Sequence, residues 1–269
     1  GLLAMAAAEP KLESEEDASS RTLNAVIVVD VSRSMLAEDG PNGKSRLEAG
    51  ILAVEKLLET YPDGRFGLVV YTNSVTVYPP TFEHNAIRVI LREILNKYAV
   101  RGEGSSLVRA MSEAGKLIEK ISSVDTIILI SDGGHSLNPN SIQPPVVQVI
   151  RDLRELGVHL VVAGVGGFVP TTIPAHSDDG ELGYHEFRGA IVYTSLEETL
   201  LRRFAEETSG WYTRLAGPDD LVAVVRMKNL DFQPTAKPSV TSLVWLPVAI
   251  SLLLIALWLV RTSIRPRFS

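Results

Sequence analysis

The sequence predicts an α/β protein: a doubly wound, mainly parallel sheet with helices on both faces, followed by a C-terminal transmembrane helix. Three observations carry that expectation. Apolar strands recur at about 25–31, Val124–Ile130 and Val158–Val165, each too short for a helix and without the polar alternation of a half-exposed strand. Amphipathic helical segments lie between them, which is the pattern of strand–helix–strand units. Finally, Leu243–Val260 contains no charged residue.

Taken in order, residues 9–22 are charged and Ser-rich and read as an exposed linker. They follow an apolar start, Gly1–Ala8, which reads as the tail of a membrane helix ahead of the alternative, a signal-sequence remnant. After the first strand, Glu38 to Gly43 is turn chemistry and Ser45 is a candidate N-cap. Leu47, Ile51, Val54 and Leu58 then share one face of a helix over about 46–60. Phe66–Tyr71 and Val75–Tyr78 form an antiparallel pair across Thr72-Asn73-Ser74. Ile87, Ile90, Leu91 and Ile94 define a helix over 83–96, and Leu107, Met111, Ala114 and Leu117 another after the loop Gly102–Ser106. A helix over 144–156 ends at Gly157, a left-handed cap position. Segments 182–187 and 190–193 meet at Arg188-Gly189 as a hairpin. Leu196–Thr208 is helical, Trp211–Thr213 is a last strand, and Asp219–Met227 is a last helix.

The 269 residues carry a net charge of −6, which disfavours a general nucleic-acid binder. There is no cysteine, hence no disulfide, thiolate ligand or cysteine nucleophile. Leu243–Val260 would span about 27 Å as a helix, close to a bilayer core. Trp245 and Trp258 sit near its ends, and Arg261, Arg265 and Arg267 follow, which predicts a cytoplasmic C-terminus and an extracytoplasmic globular domain. The expected organisation is an N-terminal remnant and linker (1–21), a globular domain (22–228), a linker (229–240), a membrane span (241–261) and a basic tail (262–269).

The chemistry concentrates where strands end. Asp30 closes the first apolar strand, with Ser32 and Ser34 at alternate positions, and Asp132 follows Ile127–Ile130. In an open parallel sheet, ligands bind beyond the carboxyl ends of the strands. The Gly-rich loop adds Ser105 as the next helix begins. Asp30, Ser32, Ser34, Ser105 and Asp132 form an oxygen-only set that suits Mg²⁺, or Mn²⁺ or Ca²⁺, with room for one more oxygen from outside. His135 lies near this set and reads as a solvated loop residue.

The run Asp30-Val31-Ser32-Arg33-Ser34, joined to Ile130-Ser131-Asp132-Gly133 on a second strand, resembles the metal-ion-dependent adhesion site of von Willebrand factor A domains. The resemblance covers about 22–228. It implies a protein-interaction module that presents a divalent cation to an acidic residue of a partner. The family's middle loop usually has a threonine followed by aspartate; here Ser105 and Ser106 stand at those positions. Gly164-Val165-Gly166, Thr172-Ile173-Pro174, Arg188-Gly189, Leu196-Glu197-Glu198 and Ser209–Tyr212 resemble the membrane-anchored Bat-type (aerotolerance) proteins. That likeness implies association with MoxR-type AAA+ ATPases in assembly or maturation of a protein complex, and no catalysis.

Other readings are weaker. A phosphatase using Asp30 as nucleophile would want a second aspartate at position 32, where this chain has serine. A cell-surface adhesin would use the same cation with an external ligand. Gly164–Gly167 is followed by Phe168-Val169-Pro170 where a dinucleotide-binding helix would start. Asp178-Asp179-Gly180-Glu181 lacks EF-hand spacing and reads as a turn.

Overall fold

A computed structural model describes residues 21–97, 106–121, 123–134, 144–176 and 182–231. They belong to one compact unit, Ser20–Gln233. The stretch Leu243–Val260, the N-terminal apolar start and the acidic run 178–181 lie outside the described residues. Among the described residues no helix is long and apolar enough to cross a membrane.

The chain runs β1 (Asn24–Asp30), α1 (Arg46–Thr60), β2 (Arg65–Tyr71), β3 (Val75–Thr81), α2 (His84–Lys97), α3 (Leu107–Lys120), β4 (Thr126–Ser131), α4 (Pro144–Glu155) and β5 (His159–Gly164). Six short strands follow: β6 (Thr171–Thr172), β7 (Pro174–His176), β8 (Leu182–Tyr184), β9 (Glu186–Phe187), β10 (Ala190–Ile191) and β11 (Tyr193–Thr194). The chain then forms α5 (Glu198–Glu207), β12 (Trp211–Arg214) and α6 (Asp220–Met227). The main sheet has the order β12-β5-β4-β1-β2-β3. Only β3 is antiparallel in it, and β1 pairs in parallel with both β2 and β4.

The unbroken apolar run of β1 has a direct cause: every residue from Asn24 to Asp30 is buried. Ala25, Ile27 and Val29 face a core shared with α1, α2 and α6, while Val26 and Val28 face one shared with α3, α4 and α5. A strand covered on both faces needs apolar residues at every position. The expected helical stripe of α1 is buried as well, and its start is fixed by a capping box. Ser45 Oγ accepts from the Glu48 amide at 3.1 Å, and Glu48 Oε2 accepts from the Ser45 amide at 3.0 Å.

Boundaries moved where propensity met packing. β3 runs on to Thr81 through Pro79 and Pro80, which an edge strand tolerates because one side of its backbone needs no partner. The expected hairpin exists: Phe187 pairs with Ala190 and Glu186 with Ile191. Arg188 and Gly189 both have positive φ (55° and 78°), as a two-residue primed turn requires. The pairings β6–β11 and β7–β8 were not expected, since strands of two or three residues carry no periodic signal.

The chain enters and leaves this unit at one point. The Thr22 amide donates to the Asp231 carbonyl at 3.0 Å, and the fully buried Asp231 carboxylate accepts from the Tyr61 hydroxyl at 2.9 Å and from Arg21 at 3.3 Å. Burial and the Asp231 carboxylate push the Tyr61 phenol up to about 12. This clamp lies at the amino end of β1, the pole opposite Asp30.

Candidate metal centre

β1 and β4 lie side by side at the point where the strand order turns, and their carboxyl ends form a crevice. Asp30 ends β1, with 1 % of its surface exposed. Its Oδ1 accepts from the Ser32 amide and its Oδ2 from the Ser131 hydroxyl, both at 2.9 Å. Ser131 also accepts from the Gly133 amide at 3.0 Å, so one serine ties the first and third loops together. Ser32 and Ser34 bring their hydroxyls to 3.1 Å of each other.

Asp132 is fully buried. Its Oδ1 accepts from the Gly134 amide at 2.9 Å, and its Oδ2 accepts from Arg46 Nη1 at 2.6 Å. Arg46, the first residue of α1, is itself fully buried. It donates to both oxygens of Asp39 (2.7 and 2.8 Å) and to the side chain and carbonyl of Thr194 (3.1 and 3.3 Å). Burial alone would lower its pKa, but the hydrogen bonds to Asp39 and the charges of Asp132 and Asp39 raise it. Burial also works against the Asp39 carboxylate, yet Arg46 and the Gly167 amide hold its pKa below the usual value.

Arg46, Asp39, Ser131 and Thr194 were not among the expected site residues. No local signal marked Arg46: it follows an N-cap, and its partners stand at positions 39, 132 and 194. Asp39 offered only turn chemistry. Tyr71 was missed as well. Its buried hydroxyl lies beside Asp30 and Ser131 and finds no hydrogen-bond partner among the described residues. Burial and the Asp30 charge hold that phenol well above its ordinary pKa.

Of the five expected ligands, the structure brings Asp30, Ser32, Ser34 and Asp132 to one crevice. Ser105 and His135 lie outside the described residues. The neighbouring Ser106 donates its amide to the Thr72 carbonyl at 2.7 Å, which brings the start of α3 to the carboxyl end of β2. Ser106 makes no side-chain cap on α3. Among the described residues no group of three or more His, Asp or Glu side chains is placed to hold a metal by itself.

Three features fit a divalent cation. Asp30, Asp132 and Asp39 set three carboxylates against one guanidinium, leaving two negative charges in excess when all are ionised. Asp30 shows the strain of this: burial, and then the Asp132 charge, push its pKa up to about 6 despite three stabilising hydrogen-bond contributions. Gly134 supplies the third feature. A Cβ there would stand 3.0 Å from Asp132 Oδ1 and 3.3 Å from Ser34 Oγ, so the missing side chain leaves a cradle between two candidate ligands. Gly133 is required for another reason: its φ of +77° and its approach to Glu197 exclude a side chain.

Comparisons with known proteins bear on the fold. Residues 25–135 match the model of the von Willebrand factor type A domain. Several solved structures share the fold. An aerotolerance-related membrane protein from Bacteroides fragilis, with multiple mutations to serines, superposes with a TM-score of 0.65 at 22 % identity, over 76 % of this chain and 97 % of that one. BatB from Bacteroides thetaiotaomicron gives 0.66 at 22 % identity, over 77 % and 98 %. The manganese-loaded TRAP protein of Plasmodium vivax gives 0.50 at 15 % identity, over 76 % and 72 %. No curated protein matches the chain.

Proposed function

We propose that this protein is a membrane-anchored von Willebrand factor A domain that binds a partner protein through a divalent cation and catalyses no reaction. Asp30, Ser32, Ser34, Ser105 and Asp132 would hold Mg²⁺, or Mn²⁺ or Ca²⁺. The observation that carries the reading is the buried pair of carboxylates, Asp30 and Asp132, at adjacent strand ends with excess negative charge around them. Bound there, a divalent cation supplies positive charge and an open position for an oxygen of the partner.

The chain's own groups do the rest. The Ser32 amide and the Ser131 hydroxyl orient Asp30, and Arg46 takes one oxygen of Asp132 while the Gly134 amide holds Oδ1. The ion-facing set is then rich in neutral hydroxyls, and the ion keeps its affinity for an outside carboxylate. The partner therefore presents an Asp or Glu. The likeness to Bat-type proteins supports a role in complex assembly alongside a MoxR-type AAA+ ATPase, and the likeness to the membrane protein from Bacteroides fragilis supports the anchor.

Calorimetric titration of the purified chain with Mg²⁺ should give binding that Gly134→Val weakens at least about tenfold, since the added side chain would fill the cradle. Equal affinity for both proteins would place the cation elsewhere. The anchor is tested separately: the chain should stay with membranes through carbonate extraction, and an outer-face protease should digest residues 22–228. Release by carbonate would sink the membrane span at 241–261, and full protection would reverse the topology.

A further inference from the structure

Two buried side-chain hydroxyls find no hydrogen-bond partner among the described residues, those of Tyr71 and Tyr212. An unpaired buried hydroxyl costs stability, so each calls for a physical reason. Tyr212 lies on β12 at the edge of the sheet, with Arg202 stacked over its ring at 4.4 Å. Its charged neighbours are Glu198, Arg202 and Arg214, none of them an expected ligand. Tyr71 stands in a different place. It ends β2 in register with Asp30, its parallel partner on β1.

The backbone fixes Tyr71 against the crevice on two sides. Its carbonyl accepts from the amide of Val31, between Asp30 and Ser32, at 2.9 Å, and the Thr72 carbonyl accepts from the Ser106 amide at the start of α3 at 2.7 Å. The side chain is 1 % exposed and belongs to the apolar core under α3, α4 and α5, while its hydroxyl lies beside Asp30 and Ser131. Ser131 already donates to Asp30 and accepts from the Gly133 amide. Asp30 has acceptor capacity to spare. A carboxylate offers about four lone-pair sites, and here two are used, by the Ser32 amide on Oδ1 and the Ser131 hydroxyl on Oδ2. A phenol O–H is a neutral donor. It can orient this carboxylate without cancelling the negative charge that attracts a cation, and groups that hold metal ligands from behind tune affinity in this way.

We infer that Tyr71 is a positioning residue of the cation site: its hydroxyl donates to the Asp30 carboxylate when that carboxylate faces a divalent cation. The bond is made in the loaded protein and not in the cation-free one. This rests on the cation-dependent reading above and deepens it.

Tyr71→Phe removes the hydroxyl and keeps the ring, and Tyr212→Phe does the same at the other unpaired hydroxyl. The wild type and both variants, as full chains in detergent at pH 7, are titrated with Mg²⁺ by calorimetry and melted in EDTA. Tyrosine ultraviolet difference absorption is followed as Mg²⁺ is added. Tyr71→Phe should bind Mg²⁺ at least about tenfold more weakly, as loss of a group that orients a metal ligand does. In EDTA it should melt no lower than the wild type, since the hydroxyl it lacks has no partner among the described residues. The wild type should show a Mg²⁺-dependent tyrosine difference band that Tyr71→Phe lacks. Tyr212→Phe should keep both the affinity and the band. Unchanged Mg²⁺ affinity, or a persisting difference band, in Tyr71→Phe overturns the inference. So does a clearly lower melting temperature of Tyr71→Phe in EDTA, because the hydroxyl would then be a structural partner in the cation-free fold. An equal loss of affinity in Tyr212→Phe overturns it too, since proximity to Asp30 would not matter. Absence of Mg²⁺ binding by the wild type is a separate result that removes the cation-dependent reading itself, and the role of Tyr71 falls with it.

Discussion

Replacing Arg46 with leucine is expected to lower the unfolding free energy by about 3–5 kcal/mol, the range for breaking a buried ion pair from one side. Leucine suits the helix and the apolar stripe of α1, so the loss would come from the groups left behind. Asp132, fully buried, would be left without its guanidinium partner while still repelling Asp30, and Asp39 would lose its bidentate partner. Thr194 would lose two donors, loosening the connection between β5 and α5. Urea denaturation measures the total. A second substitution identifies the cause: Asp132→Asn on the Arg46→Leu background should recover part of the loss, because it removes the uncompensated charge. If the double variant is less stable than the single one by the full cost of Asp132→Asn alone, the two residues are not coupled and Arg46 acts by packing only.

Much of this fold could be read from the chain because burial on two faces leaves no choice of residue. β1, β4 and β5 must be apolar along their middles, and the ends of β1 and β4 then announce themselves by the first charge, Asp30 and Asp132. Ser32 and Ser34 were legible because alternate hydroxyls after a buried strand have few other uses. Arg46 was not, because a charged residue just after an N-cap is the commonest thing on a helix surface. Its burial depends on Asp39, seven positions earlier, and on Thr194, 148 positions later. No local pattern encodes a contact of that separation. The ribbons between β5 and α5 escaped for a related reason: strands of two residues are held by their neighbours, not by propensity.

Asp30→Asn should stabilise the cation-free protein at neutral pH while abolishing Mg²⁺ binding. The sign follows from the pKa. Asp30 is raised from 3.8 to about 6 in the folded state, first by burial and then by Asp132. Between those values the native state holds a proton that the unfolded chain has released, so stability falls as pH rises through this window. Above it the ionised, buried carboxylate costs the cation-free fold on the order of 3 kcal/mol, at about 1.4 kcal/mol per pKa unit. Asparagine keeps the shape and carries no charge, so the variant should be flatter between pH 4 and 6 and more stable at pH 7. It gives up little hydrogen bonding, because its carbonyl can accept from the Ser32 amide as Oδ1 does now. Asp39 has the opposite sign: its pKa is lowered, and its contribution is lost only below the ordinary carboxylate range. The two effects therefore separate along the pH axis. Mg²⁺ should reverse the order of stabilities at pH 7, raising the melting temperature of the wild type and leaving that of Asp30→Asn where it was. Thermal melts of both proteins at pH 5 and 7, with Mg²⁺ and with EDTA, make the comparison directly. A wild type whose stability in EDTA does not fall between pH 5 and 7 relative to Asp30→Asn would mean that Asp30 bears no such strain, and the charge argument for a cation at this crevice would go with it.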